Sequence, residues 1–197
     1  PATTPLFVRK YHAKGLLQYA KRERVHKGYG DVIVCLDESG STEGENAEWG
    51  KALALAVQDI CAHEGRKYAL IHFSGKDQFR TDLFLPGQYT SEDLLSAAEH
   101  FFDGGTDFET PIREALRLIN EDAFENADIL FVTDGEDSIS DELASGLQES
   151  IQNAQCSVIG LLLDADSPGM EFTLDKFCER IYRISEMYDK DDILTNL

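Results

Sequence analysis

Short apolar runs alternate with longer segments of helical periodicity along the chain after residue 30. Four of the runs are continuous, as is typical of strands that are buried on both faces of a sheet: 31–37, 67–74, 127–134 and 156–164. The run over 78–85 alternates more between polar and apolar residues and ends at Pro86-Gly87, which favours an edge strand. The chain is therefore expected to form a sheet whose strands are mostly buried.

The segments between the runs predict helices, and the order of the two kinds of element decides the fold class. Helical spacing predicts helices over 48–63, 91–102, 110–120 and 140–153, and Ser91 is expected to open the second of them. A short helix over 170–178, a last strand over 181–185 and a terminal helix over 191–196 complete the prediction. Strands separated by helices imply βαβ crossovers and an α/β, doubly wound, mostly parallel sheet.

Charge divides the chain into two unequal parts. Residues 1–30 carry seven basic residues and one acid, a net charge of +6, whereas residues 31–197 carry eleven basic and 36 acidic residues, a net charge of −25. We interpret the first part as a basic leader, the tail of an upstream region, and 31–197 as one domain. The leader packs against the acidic domain, serves as a linker, or contacts an acidic face of a partner. The chain begins at Pro1, and we expect it to be an excerpt of a longer protein or a processed form.

The acidic composition also excludes classes of partner. Binding to nucleic acid needs clustered Lys and Arg, so neither nucleic acid nor an anionic membrane surface is an expected partner. No apolar run approaches the roughly 18 residues that span a bilayer, so no membrane span is expected. The four cysteines lie far apart within apolar segments: Cys35, Cys61, Cys156 and Cys178. We expect reduced, buried thiols in a cytoplasmic protein.

The same residues argue against a zinc site. Neither a Cys-x-x-Cys pair nor a Cys/His cluster occurs along the chain. The histidines are scattered, and His72, within a predicted strand, is expected to be a buried core residue. His63 and His100 lie near the ends of predicted helices.

Oxygen-bearing side chains follow the first buried strand and recur in two later loops. Asp37 ends the first run, and Ser39 and Ser41 follow at alternate positions. Thr106 lies in a Gly-Gly-Thr loop, and Asp134 ends the third buried run. Sites in doubly wound sheets lie outside the carboxyl ends of the strands, so these side chains are expected to converge. Two carboxylates and three hydroxyls are hard oxygen donors, which suit Mg²⁺, with Mn²⁺ or Ca²⁺ as alternatives.

Two interpretations of these residues involve no metal ion. Taken alone, the segment 37–41 also fits an ordinary turn, in which Asp, Ser and Gly are common. Further acids lie beside the proposed ligands, and we interpret them as solvated loop residues, with tuning of ligand preference or repulsion of wrong partners as the alternative: Glu38, Asp103, Asp107, Glu136 and Asp137.

The motif Asp37-x-Ser39-x-Ser41, followed by Thr106 and then Asp134, resembles the metal-ion-dependent adhesion site (MIDAS) of the von Willebrand factor A (VWA) domain family. The resemblance covers about residues 31–187. It implies a Rossmann-like fold, an α/β doubly wound and mostly parallel sheet with one antiparallel edge strand. It also implies that Ser39, Ser41 and Thr106 bind the metal directly, and that Asp37 and Asp134 bind it directly or through water. A carboxylate of a partner protein would complete the coordination.

Three stretches suggest a narrower relationship. Residues 34–41 (VCLDESGS), 51–56 (KALALA) and 101–116 (FFDGGTDFETPIREAL) resemble bacterial VWA proteins of the CoxE-like and ViaA-like type. Members of that group act with MoxR-type AAA+ ATPases as adaptors. The resemblance implies a non-enzymatic, metal-dependent protein-interaction domain with a MoxR-type AAA+ ATPase as a candidate partner.

Two other functions stay open. The first is a Mg²⁺-dependent phosphohydrolase with Asp37 as nucleophile, although Ser39 stands where such enzymes carry a general acid. No lysine that could hold a phosphate lies between residues 76 and 176, although Arg113 and Arg117 lie in this interval. The second is a scaffold whose metal site is vestigial. The segment 44–52 does not match a phosphate-binding loop, because its glycines have the wrong spacing. A serine hydrolase is not supported either, because no Gly-x-Ser-x-Gly motif surrounds Ser39 or Ser41.

Overall fold

The computed structural model describes residues 30–121, 123–124, 126–135, 137, 139–163 and 171–184. Apart from Gly30, the basic leader predicted over 1–30 lies outside these residues, as does the terminal helix predicted over 191–196.

Within the described ranges, six strands form one sheet in the order β3-β2-β1-β4-β5-β6. The strands are β1 Val32–Asp37, β2 Tyr68–Phe73, β3 Phe79–Phe84, β4 Asp128–Thr133, β5 Val158–Leu162 and β6 Arg180–Arg183. β2 and β3 pair antiparallel, and the other neighbours pair parallel. The mostly parallel sheet with one antiparallel edge strand, predicted over 78–85, is confirmed.

Helices connect the strands and cover both faces of the sheet. They are α1 Glu45–Glu64, α2 Ser91–Glu99, α3 Glu109–Asn120, α4 Asp141–Ala154 and the four-residue α5 Glu171–Leu174, with a 3₁₀ turn at Gly40–Thr42. None of the helices in the described residues has both the length and the apolar character that crossing a bilayer requires.

Alternate residues of β1 contribute to two separate cores, which explains why the whole strand is apolar up to Asp37. Ile33 and Cys35 belong to the core that also contains buried residues of α3 and α4. Val34 and Leu36 belong to the opposite core with buried residues of α1. A strand covered by helices on both faces needs apolar residues at every position. The cysteines are free and at least half-buried, as predicted.

The second helix differs from its prediction at both ends. Thr90, not Ser91, is the N-cap, because its hydroxyl accepts the N–H of Asp93 while the Asp93 carboxylate accepts the N–H of Thr90. The helix ends at Glu99 rather than at residue 102, because the backbone of His100 is extended. The predicted helix over 170–178 is likewise reduced to Glu171–Leu174.

The chain changes direction at the boundary between β1 and β4. After β1 it passes through α1 to β2 on one side, and after β4 it passes through α4 to β5 on the other side. Such a switch point opens a crevice outside the carboxyl ends of the two strands. Asp37 ends β1, and Asp134 directly follows β4.

Candidate functional site

Asp37 is a buried carboxylate at the end of β1. It is 1% exposed, and it accepts hydrogen bonds from the backbone N–H of Ser39 (3.0 Å) and the hydroxyl of Thr133 (2.5 Å). Burial raises the pKa of Asp37 to about 6, the two hydrogen bonds oppose the rise, and the nearby Asp134 carboxylate adds to it. An ionised carboxylate in such surroundings is unfavourable unless a cation or further donors compensate.

The hydroxyls of Ser39 and Ser41 form the second part of the site. Their Oγ atoms lie 3.0 Å apart at the start of the 3₁₀ turn, and the turn is fixed by Thr42, whose hydroxyl donates to the Ser39 carbonyl (2.8 Å). Ser39 is buried and Ser41 is exposed. Oxygens in adjacent positions around an octahedral Mg²⁺, each about 2.1 Å from the ion, are about 3.0 Å apart. The spacing of the two hydroxyls fits this geometry.

Backbone hydrogen bonds hold the Gly-Gly-Thr loop against the first loop. Gly40 N–H donates to the Gly104 carbonyl (2.9 Å), and Asp103 N–H donates to the Glu38 carbonyl (3.1 Å). Thr106 lies in this loop and is half-buried. It is linked to the other four residues through these backbone contacts rather than through a side-chain hydrogen bond within the described part of the chain.

Thr133 connects the first loop to the third. Its hydroxyl donates to Asp37 and accepts the N–H of Gly135 (2.9 Å). Asp134, which lies between Thr133 and Gly135 in the sequence, is 2% exposed. The third loop is also fixed to the second, because the Asp137 carboxylate accepts the N–H of Phe108 (3.0 Å).

The donor set suits a hard divalent cation. Hydrogen bonds join Asp37, Ser39 and Ser41, and Thr106 lies in a loop bonded to theirs. Asp134 lies near enough to Asp37 for its charge to raise the pKa of Asp37. Two carboxylates and three hydroxyls are oxygen donors of the kind that Mg²⁺, Mn²⁺ and Ca²⁺ prefer.

Several neighbouring acids are structural, contrary to the prediction that they are solvated. Glu38 is 1% exposed and accepts hydrogen bonds from Nδ1 of His72 (2.7 Å) and Nδ1 of His100 (2.9 Å), so its prediction was wrong. The Asp107 carboxylate accepts the N–H of Thr110 (2.9 Å) at the start of α3. Asp103 is exposed, and Glu136 lies outside the described residues.

The Glu38 contacts have no local signal in the sequence. His72 and His100 follow Glu38 by 34 and 62 residues, so only the sheet and the end of α2 bring them together. The prediction that His72 is buried in the core is confirmed.

Comparison with known families agrees with the fold. The family model of the von Willebrand factor type A domain matches residues 32–136, more than half of the chain, and this range contains all five candidate residues. The chain belongs to the von Willebrand factor type A domain family. The VWA domain is generally a protein-interaction fold.

Two relatives come from Methanocaldococcus jannaschii, and both are named only as uncharacterized proteins. MJ0811 is 28% identical over 186 residues, which cover 94% of this chain and 42% of the relative. MJ0077 is 33% identical over 157 residues, which cover 80% of this chain and 38% of the relative. The chain thus spans about two fifths of the length of these relatives.

A solved structure supports the VWA fold. The von Willebrand factor type A protein from Catenulispora acidiphila superimposes with a TM-score of 0.61 at 16% identity, over 78% of this chain and 38% of that chain. At this identity the likeness concerns the fold alone.

Proposed function

We propose that this VWA domain binds a carboxylate of a protein partner through a Mg²⁺ ion held by Asp37, Ser39, Ser41, Thr106 and Asp134. The main support is the pair of hydroxyls of Ser39 and Ser41, 3.0 Å apart beside the buried carboxylate of Asp37 at the switch point of the sheet. Mn²⁺ and Ca²⁺ are alternative occupants of the same donor set.

Charge explains why a metal ion is needed to bind an acidic partner. Residues 31–197 carry a net charge of −25 and repel a carboxylate. Three of the five proposed ligands are neutral hydroxyls and the two carboxylates at most balance the charge of the ion, so the site is locally not negative and a six-coordinate ion has a position left for an additional anion. The partner carboxylate therefore occupies the coordination position that the protein leaves open.

We extend the proposal to an adaptor of a MoxR-type AAA+ ATPase in the cytoplasm. Support comes from the resemblance of 34–41, 51–56 and 101–116 to bacterial VWA proteins of the CoxE-like and ViaA-like type. A purified ATPase of this type is expected to bind the chain in Mg²⁺ and to release it in EDTA.

Calorimetry with the metal alone tests the site before any partner is known. Wild-type chain is titrated with Mg²⁺, Mn²⁺ and Ca²⁺, together with Ser39→Ala, Asp134→Asn and the control Ser145→Ala. Ser145 carries an exposed hydroxyl that, among the residues the structure describes, donates to the carbonyl of Asp141 within α4. We expect the control to bind as wild type, and the two site variants to lose at least about ten-fold in affinity while keeping their circular dichroism. A wild-type chain that binds none of these ions would overturn the proposal.

A pulldown with and without EDTA distinguishes a working site from a vestigial one. Metal-gated binding is lost in EDTA and returns when Mg²⁺ is restored in excess. A scaffold with a vestigial site retains its partner in the chelator.

We propose no catalytic activity. The arginines that a phosphohydrolase would need are engaged on α3, where Arg113 pairs with Glu109 and Arg117 pairs with Glu114. Turnover of an aryl phosphate by wild type above the level of Asp37→Asn would support the enzyme instead.

A further inference from the structure

A second group of metal-ligating side chains lies beside the first loop. Glu38 follows β1, His72 lies on β2 and His100 follows α2, and one ligand atom from each lies within 4.8 Å of the other two. We propose that Glu38, His72 and His100 form a second metal site that binds a zinc-class divalent ion, separate from the five-residue site and with different ion chemistry.

The donor atoms lie close together, and each histidine faces a different oxygen of Glu38. Nδ1 of His72 lies 2.7 Å from Glu38 Oε1, and Nδ1 of His100 lies 2.9 Å from Glu38 Oε2. The two imidazole rings contact each other, with centroids 5.0 Å apart. Two imidazole nitrogens and one carboxylate are ligands that Zn²⁺ accepts in tetrahedral geometry, with the fourth position taken by water. Mg²⁺ prefers oxygen ligands, so the two sites select different ions.

The other nitrogen of the His72 ring, Nε2, faces a second carboxylate, which is an observation independent of the cluster itself. Nε2 of His72 lies 3.3 Å from Oδ2 of Asp82, and both atoms are buried without a hydrogen bond among the described residues. A metal ion on Nδ1 leaves the imidazole proton on Nε2, facing this carboxylate. Histidine ligands of metals usually donate their other N–H to such a carboxylate, which orients the ring. Arg80 holds the second oxygen of Asp82 (2.8 Å).

The two proposed sites share a loop but no ligand. The Asp37 carboxylate is bonded by Thr133 of β4, and the Glu38 carboxylate is bonded by His72 of β2. Consecutive residues of the loop thus face neighbouring strands on opposite sides of β1. An ion at the second site would tie the first loop to β2 and to the end of α2.

A network without an ion is the competing explanation. Glu38 also lies 4.0 Å from the ammonium group of Lys51, so N–H donors of the two histidines and this cation can compensate the buried carboxylate. In that case the chain binds no zinc-class ion at this position. The two explanations therefore differ in a direct metal titration.

Cobalt provides the readout, because Co²⁺ occupies zinc sites and its visible absorption reports the coordination. The full chain, stripped of metal, is titrated with Co²⁺ in millimolar Mg²⁺, which occupies or competes for the five-residue site. We expect one Co²⁺ per chain, with the visible bands of a four- or five-coordinate nitrogen and oxygen site, and displacement by Zn²⁺. No Co²⁺ or Zn²⁺ binding by the wild type in Mg²⁺ overturns the proposal.

Variants assign the ion to its ligands. His100→Ala is expected to weaken Co²⁺ binding at least about ten-fold; its side chain is 20% exposed and follows the end of α2, so the fold tolerates the change. His63→Ala, at an exposed position near the end of α1, is the matched control and binds as wild type. Asp82→Asn removes the orienting carboxylate, together with its ion pair to Arg80, and is expected to weaken Co²⁺ binding by about 10–100-fold.

Asp134→Asn separates this site from the first one. It is expected to leave Co²⁺ binding in Mg²⁺ unchanged, even if the five-residue site proves inactive. Wild-type affinity in His100→Ala, or loss of Co²⁺ binding in Asp134→Asn, contradicts the second site.

Discussion

Asp37 and Glu38 are consecutive carboxylates at the end of β1, and each is 1% exposed. They have different partners: Asp37 accepts from a hydroxyl and a backbone N–H, whereas Glu38 accepts from two imidazoles. Hydroxyl and amide donors compensate an ionised carboxylate only in part, whereas a cationic or metal-bound imidazole also neutralises its charge. Of the two carboxylates, Asp37 is therefore the one whose ionised form is less well compensated.

The raised pKa of Asp37 predicts how the stability of the metal-free protein changes with pH. The pKa of Asp37 is raised to about 6, so between about pH 4 and pH 6 the folded state binds more protons than the unfolded state. The free energy of unfolding therefore falls as the pH rises through this window, by up to about 3 kcal/mol from this residue. Asp37→Asn removes the titration, so in EDTA at pH 7.5 we expect the variant to be more stable than wild type.

Urea unfolding in EDTA at pH 4.5 and pH 7.5 measures this difference. Asp59→Asn, which replaces an exposed carboxylate on α1, is the control and is expected to retain the wild-type pH dependence. A wild-type fall that persists unchanged in Asp37→Asn would assign the dependence to other groups.

The five proposed ligands were chosen from the sequence on local patterns: Asp37 and Asp134 come at the ends of apolar runs, and Thr106 follows a Gly-Gly pair. Asp37, Ser39 and Ser41 lie within five residues, and their contacts are local. The contacts of Glu38 join three separate elements, so residue type and spacing gave no reason to expect a buried carboxylate there. Long-range polar contacts of this kind depend on the register of the strands, which the pattern of apolar residues does not specify.

At the scale of elements, the Gly-Gly-Thr loop is positioned by a close approach to the end of β2. A Cβ atom on Gly104 would lie 2.7 Å from Oγ of Ser74, which donates to the Gly105 carbonyl (2.9 Å). A Cβ atom on Gly105 would meet nothing within 4 Å. The two adjacent glycines thus differ in how much room they leave for a side chain.

This difference predicts unequal effects of the same substitution. Gly104→Ala must displace Ser74 and with it the loop that carries Thr106, so we expect Mg²⁺ affinity to fall at least about ten-fold. Gly105→Ala is expected to bind Mg²⁺ as wild type. Calorimetry on the two variants makes the comparison, and equal affinities would show that the position of this loop does not control the metal site.

The capping box of α2 yields a prediction of stability. Thr90→Ala removes the hydroxyl that accepts the Asp93 N–H, and we expect the free energy of unfolding to fall by about 1 kcal/mol. Thr90→Ser keeps the hydroxyl and is the control. Urea unfolding compares the variants, and an equal loss in both would attribute the effect to the Thr90 methyl group instead.

The ends of α2 also show why helix boundaries were harder to predict than strands. β1, β2 and β4 were predicted within one residue at each end, because a strand covered on both faces is an uninterrupted apolar run. The start of α2 depends on the pair Thr90 and Asp93, and its end depends on an extended residue that contacts Glu38. Neither contact alters the helical spacing of apolar residues from which α2 is predicted.

For the whole molecule, the distribution of charge predicts how partner binding responds to salt and to chelation. The domain repels an acidic partner, and salt screens this repulsion, since the Debye length is about 10 Å at 0.1 M. Raising NaCl from about 50 to about 300 mM in Mg²⁺ is therefore expected to leave the Kd unchanged or slightly lower. EDTA at constant ionic strength is expected to abolish binding. A Kd that rises steeply with salt in Mg²⁺ would indicate a basic surface as the contact instead.

The strand order has a consequence for the chain as it leaves the ribosome. β1 pairs with β2 on one side, but its other neighbour is β4, and 96 residues separate Asp37 from Thr133. At about 5–20 residues per second, synthesis of this interval takes about 5–20 s. Until β4 emerges, one edge of an entirely apolar strand has no partner and Asp37 lacks its hydroxyl donor. The nascent chain is thus expected to need protection by a chaperone until β4 and the proposed ligand Asp134 have been translated.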